Sequence, residues 1–182
     1  NIDEDVITLT TKNNSLFINS KKYKTQILGF DTKEYPIIPK VREGGVCTLP
    51  TKQLHTALNQ VIDSVSLSES RLELAGLYVQ FSPKQVTLAA TDSFRLVESI
   101  IPVACRREQS IIMPRNAVTE LIRVTNEVEG DITIHVGDNQ AAFVSDDCEM
   151  VSRLVDGKYP DYKRVIPERF VSKALVSKVD LE

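Results

Sequence analysis

Apolar and polar residues alternate through much of the chain, and twice the period lengthens. Leu54, Ala57, Leu58, Val61, Ile62 and Val65 recur at the spacing of one helical face, and Ala117, Val118, Leu121, Ile122 and Val124 or Val128 do nearly the same. The pattern predicts helices over about 51–65 and about 115–127. Each follows a short apolar run and a proline, Pro50 and Pro114. Proline is tolerated around the first helical turn because no helical N–H is lost there. Leu72–Leu74, Leu77–Phe81, Val86–Ala90 and Phe94–Ile101 read as strands after the first helix, and Ile132–Val136, Ala141–Val144 and Glu149–Leu154 after the second. The short polar turns between them force antiparallel neighbours.

A unit of strand, helix and antiparallel strands therefore occurs twice within residues 46–167. Two such units predict a pseudo-repeated α+β domain with both helices on one face and antiparallel sheets on the other. A longer likeness relates residues 5–39 to 130–167. Both give strand, polar turn (Lys12-Asn13-Asn14; Gly137-Asp138-Asn139), strand, turn and strand. Both end on Tyr-Pro followed by Ile-Pro, at Tyr35-Pro36 and Ile38-Pro39, and at Tyr159-Pro160 and Ile166-Pro167. The copies stand a domain's length apart, which is not a solenoid spacing. Residues 1–41 then read as the C-terminal half of an incomplete domain, 46–167 as a complete one, and 170–182 as the entry strand and helix start of another incomplete one.

Composition narrows the classes. With 42% hydrophobic and 26% charged residues in 182, the chain is ordinary for a globular domain. No apolar run approaches the roughly 18–20 residues of a membrane-spanning helix, so no membrane partner is expected, and the first residues lack a signal pattern. Cys47, Cys105 and Cys148 are scattered and odd in number, the usage of buried thiols in a reducing compartment. His55 and His135 lack the close companions that metal ligation needs. The net charge of −3 excludes a wholly basic surface but not a local basic face.

Residues 88–98 gather a carboxylate, hydroxyls and a guanidinium: Thr91, Asp92, Ser93 and Arg95. A catalytic reading would pair Asp92 with Asp161, or Asp146 with Asp147, and make Ser93 a nucleophile. Ser93 has no base partner in its neighbourhood and no G-x-S-x-G elbow, and the seven glycines form no phosphate loop. A turn held by side-chain-to-backbone hydrogen bonds from Thr91, Asp92 and Ser93 accounts better for the cluster. No catalysis, metal or cofactor is expected.

The Leu88–Glu98 stretch, "IIMPRNAVTELIR" (111–123) and "SRLVDGKYPDYKRVIP" (152–167) together resemble the middle domain of the bacterial sliding clamp family, the DNA polymerase III beta subunit. The family commonly carries Thr-Asp-Gly-His-Arg-Leu in the first place and Phe-Pro-Asp-Tyr-Arg-Arg-Val-(Ile/Leu)-Pro in the last. The likeness runs in order along essentially the whole chain. It implies a DNA clamp fold, a head-to-tail homodimer ring in the full-length protein, and helices lining a central hole. Such a ring slides on double-stranded DNA without sequence preference in the cytoplasm, at the nucleoid. It is a non-catalytic processivity factor of DNA replication that tethers DNA polymerase, clamp loader and repair proteins through short linear motifs of apolar and Gln residues. The alternative is a monomeric peptide-binding adaptor of clamp-like fold that does not encircle DNA.

By the same resemblance, the partner-peptide pocket falls on Leu74, Thr91, Ser93, Phe94, Arg95, Leu96, Pro160, Arg164 and Val165. Leu74, Leu96, Pro160 and Val165 would form an apolar floor, each leucine-sized anchor contributing about 1.5–3 kcal/mol. Arg95 and Arg164 would donate to peptide carbonyls or a carboxylate, and Thr91 would orient the ligand through its hydroxyl. A plainer reading has the same residues packing two domains together. Ser93-Phe94 replaces the family's Gly-His, making the rim more apolar and removing a titratable donor. The rest of the family's pocket comes from its last domain, so weak peptide binding is expected of this chain. On the helices the outward polar sets are Lys52, His55, Asn59 and Asp63, and Arg115, Asn116, Thr119 and Arg123. Lys52, Arg115 and Arg123 are candidate DNA-facing cations, since sequence-independent tracking needs dispersed charge over phosphates. They read equally as solvated helix residues; Glu120 and Glu127 dilute the field, and no aromatic on either helix could stack on bases.

Overall fold

The computed structural model describes residues 6–35, 41, 45–68 and 70–181, in two compact units, Asn1–Lys40 and Val41–Glu182. The first is an antiparallel meander of β1 (Thr8–Lys12), β2 (Ser15–Asn19) and β3 (Lys24–Leu28). Asn13 and Asn14, at φ 49° and 55°, make the two-residue turn whose twist suits a hairpin, in the left-handed region asparagine tolerates. Leu9, Ile27, Leu28 and Phe30 are exposed on this unit. The expected ending at Pro36, Ile38 and Pro39 lies outside the described residues.

In the second unit two halves exchange their first strands. β4 (Gly45–Pro50) leads into α1 (Thr51–Val61), then β5 (Gly76–Phe81), β6 (Gln85–Thr91) and β7 (Leu96–Pro102). β8 (Gln109–Pro114) leads into α2 (Arg115–Glu127), then β9 (Asp131–Val136), β10 (Gln140–Val144) and β11 (Glu149–Arg153). The sheet orders are β11-β10-β9-β4 and β7-β6-β5-β8, so each entry strand completes the other half's sheet. The helix starts follow the same exchange. Neither proline N-cap offers a side-chain bond; instead Thr51 N–H donates to Gly130 O (2.9 Å) and Arg115 N–H to Ala75 O (3.3 Å), the residues just ahead of β9 and β5. Gly76 is required where β8 crosses, because a Cβ there would lie 2.4 Å from Ile112 Cγ2 and 2.9 Å from Met113 O.

Both helices pack on each other, α1 against β6 and β7 and α2 against β5 and β8, which places them on one side of that sheet. Leu77, Val79 and Phe81 of β5, Val86, Leu88 and Ala90 of β6, and Ile111 and Met113 of β8 face them in the main core. The intervening residues Ala89 and Ile112 are buried too, in a second cluster with Leu74, Tyr159 and Tyr162. Period-two alternation puts that cluster on the sheet's opposite face. β6 is therefore covered on both sides, which is why its run reads as nearly continuous apolar sequence.

Four sequence expectations need correction. Leu72–Leu74 is a turn, closed by Leu74 N–H and Ala75 N–H on Arg71 O, and not a strand. The helix expected to 65 is α only to Val61, tightening to a 3-10 turn at Ile62–Ser64, while Phe94 and Arg95 precede β7 in a turn. Residues 172–177 form no strand, and only the short helix α3 (Lys178–Leu181) follows; among the described residues no strand pairs with that stretch, and an unpaired strand has no ladder to hold it.

Candidate functional site

The second cluster is roofed by the segment after β11. Val155 N–H donates to Ile112 O (2.9 Å), carrying the chain off β11 across β8. Tyr159 then stacks on Tyr78 with centroids 5.0 Å apart, and Tyr162 meets Tyr78 edge-on at 6.0 Å. Tyr162 donates its hydroxyl to Glu98 Oε2 (2.5 Å), joining the roof to β7. Burial, reinforced by Glu98, pushes the Tyr162 phenol well above its ordinary range. Burial likewise pushes Tyr159 up to about 12. The Thr91 backbone approaches the Tyr159 hydroxyl and partly offsets that rise, yet it does not reach hydrogen-bonding geometry, and among the described residues the buried hydroxyl has no partner. Between the aromatics and Pro167 the chain makes a 3-10 turn, Tyr162–Val165.

The facing wall is the turn between β6 and β7. Asp92 Oδ1 accepts from Phe94 N–H and Arg95 N–H (3.0 Å each), and Oδ2 from Arg95 Nε (3.0 Å). These backbone donors first, and the guanidinium second, hold the Asp92 carboxyl below its ordinary range. Thr91 Oγ1 donates to Arg95 O (2.7 Å) and accepts from Ser93 N–H (3.1 Å). Ser93 sits at φ 79°, a left-handed position that favours glycine, with its Oγ accepting from Arg71. Arg95 Nη2 reaches Asp63 O (2.9 Å) beyond the end of α1. The turn is thus fixed by its own side chains, and it holds Phe94 outward at 98% exposure.

Between the walls lies a cavity of about 580 Å³. Leu74, Thr91, Ser93, Phe94, Arg95 and Leu96 line it from one side, Pro160 and Val165 from the other. Arg164 instead lines an adjoining cavity of about 620 Å³ that shares Pro160, Asp161 and Tyr162, and its Nε is paired with Asp161 Oδ2 at 2.8 Å. The Thr91 proton is committed within the turn, leaving one lone pair unused, whereas Arg95 keeps three of its five side-chain N–H donors among the described residues. Arg71, Asp161, Tyr162, Ile166 and Pro167 also line the cavity and were not anticipated. Tyr162 could have been read from its place between Pro160 and Val165; Arg71, on a loop, carried no signal. Ser93 Oγ faces the Arg71 guanidinium, and His55 and His135 lie away from it on α1 and β9.

On the helices, Lys52 is exposed in the first turn of α1. Arg115 is half-buried: Nη1 donates to Ile62 O (2.5 Å) and Val65 O (3.0 Å), placing a cation at α1's C-terminal end. Arg123 is clasped by Glu120 (2.6 Å) and Glu127 (3.1 Å). His55 is not outward either. Its Nδ1 bonds Ile122 O (3.2 Å) and Thr125 Oγ1 (3.1 Å) across the helix seam, while Nε2 meets Asn59 Nδ2 (3.0 Å). The helix crossing, invisible in either helix alone, turns these two side chains inward.

Residues 48–161 match the family described as DNA polymerase III beta subunit, central domain. The beta sliding clamp of Staphylococcus aureus is 30% identical over 171 residues, covering 93% of this chain and 45% of that protein. The crystal structure of the Bacillus subtilis DNA polymerase sliding clamp superposes with a TM-score of 0.82 at 28% identity, covering 90% of this chain and 44% of that one. The Thermotoga maritima DNA polymerase III beta subunit gives 0.81 at 28% identity, covering 90% and 45%. The chain thus spans somewhat under half the length of these relatives. With the exchanged-strand domain, the paired helices on one side of the sheet and the sequence match agreeing, this chain belongs to the bacterial sliding clamp family, the DNA polymerase III beta subunit.

Proposed function

We propose that the chain is part of a sliding-clamp processivity factor: 1–41 the end of a first clamp domain, 46–167 the complete middle domain, and 170–182 the start of a third. The ring in the full-length protein is a homodimer that encircles double-stranded DNA in the cytoplasm, and retention is topological, with no chemical step of its own. The cavity between Thr91–Leu96 and Pro160–Val165 docks short linear motifs of DNA polymerase and clamp loader. The observation that carries this reading is that cavity. Two segments some seventy positions apart enclose apolar floor residues beside unused guanidinium donors. Arg123 is compensated by Glu120 and Glu127, so its contribution to a pore field is small; Arg115 is tied to the Ile62 and Val65 carbonyls but keeps its charge, and Lys52 stands exposed.

That internal pairing favours, as a second reading, an adaptor that holds peptides without encircling DNA. Loading on nicked circular DNA separates the two. A ring formed by the full-length protein is retained on the circle and lost when one restriction cut linearises it. An adaptor behaves alike on both.

A further inference from the structure

The docking cavity is one half of a larger feature. The adjoining cavity shares Pro160, Asp161 and Tyr162 with it, so the Pro160–Arg164 turn forms a ridge between them. Tyr78 and Gln80 of β5 contribute to its lining, together with Lys158, Lys163 and Arg164. Lys158 and Lys163 are exposed and make no ion pair among the described residues. The third cavity, beyond Tyr78, is lined by Arg153 and Lys158 but also by Asp138 and Asp156, so the positive character stops there.

Around the two cavities that share the ridge stand five cations: Arg71, Arg95, Lys158, Lys163 and Arg164. Among the described residues Asp161 is the one carboxylate lining either and is held by Arg164, while Asp92 in the adjoining turn holds Arg95. This leaves Lys158 and Lys163 as exposed cations without an ion pair among those residues. This concentration sits on a chain whose net charge is −3. Like charges that are only partly compensated raise the local potential and select a partner of opposite sign.

We propose that the second cavity is an acidic-flank subsite: a partner peptide seats its apolar residues against Leu74 and Leu96, crosses the ridge, and lays Asp or Glu side chains between Lys158 and Lys163. This rests on the docking reading above and adds the chemistry of the flank. Lys158 and Lys163 are point charges on flexible stems, suited to carboxylates at variable spacing, whereas Arg164 is already oriented by Asp161.

The test uses fluorescein-labelled peptides with a Gln-Leu-Ala-Leu-Phe core, flanked on both sides by Glu-Glu or by Gln-Gln, titrated by polarisation. The acidic-flanked peptide is expected to bind about fivefold tighter at low salt, an advantage of the size exposed ion pairs give. The gain should vanish at about 0.5 M salt and in the double variant Lys158→Glu/Lys163→Glu, whose substitutions are at exposed positions. Equal affinities for the two peptides would overturn the subsite and leave the docking reading standing. Failure of both peptides, with circular dichroism of the folded chain intact, would overturn the docking reading and the subsite together. Binding of a short DNA duplex that competes with the acidic flank and is abolished by the double variant would assign these cations to nucleic acid and overturn the proposal.

Discussion

Tyr162 and Glu98, 64 positions apart, share a 2.5 Å hydrogen bond that fastens the Pro160–Val165 wall to β7, the strand leaving the Thr91–Arg95 turn. The two walls of the candidate cavity are thereby coupled through one phenol and one carboxylate. Tyr162→Phe keeps the ring packing, and Glu98 is exposed enough to regain water. The expected cost is therefore that of one net hydrogen bond, about 1–2 kcal/mol in urea unfolding. Tyr162→Ala, which also removes the ring, should cost about 3–5 kcal/mol.

Tyr159 should behave in the opposite way. Its hydroxyl is buried without a partner among the described residues, so Tyr159→Phe is expected to stabilise the domain by about 1 kcal/mol. The raised phenol pKa also fixes a pH dependence. Between the ordinary value of 10.0 and about 12 the unfolded state has lost protons that the native state retains, so stability falls as pH rises through that window. Urea midpoints compared at about pH 9 and about pH 11 should drop in the wild type and drop less in Tyr159→Phe.

Asp92 gives the acid counterpart. Its folded pKa is depressed, so its contribution is present above the ordinary carboxylate range and is lost as pH falls through the lowered value. Asp92→Asn should keep an acceptor for Phe94 N–H and Arg95 N–H while flattening this acid dependence. An NMR titration of the side-chain carboxyl reads the depressed pKa directly.

Ser93→Gly should stabilise the fold by about 0.5–1 kcal/mol. The left-handed φ of 79° costs serine more than the substitution loses in unfolded-chain freedom and the exposed Arg71 contact. Ser93→Val, β-branched in the same conformation, should destabilise it, and thermal melts of the two variants should move in opposite directions.

The helices were legible because Leu54, Leu58 and Val61, and Val118 and Leu121, bury one face each, a demand written locally. The role of Asp92 was legible for the same reason, since its bonds reach only two and three residues ahead. What was not legible depends on distant partners. The exchange of β4 and β8 between sheets leaves no local mark, because either sheet would satisfy their apolar patterns. Arg115 reads as an outward helix residue until the carbonyls of Ile62 and Val65, 53 and 50 positions away, arrive beside it. Leu72 and Leu74 alternate as a strand would, yet Arg71 O captures the local N–H groups and only Leu74 is buried. The cavity lies between these cases: its residues followed from the family resemblance, while the tyrosine scaffold beneath it emerged only from the packing of the Val155–Pro167 segment over the sheet.

An amide-resolved NMR titration of the chain with the Gln-Leu-Ala-Leu-Phe peptide tests the docking site most directly. Perturbations are expected to concentrate at Leu74, at Thr91–Leu96 and at Tyr162–Val165, with the amides of α1 and α2 unmoved. Saturating peptide that shifts none of these amides, or that shifts only those of the two helices, would contradict it.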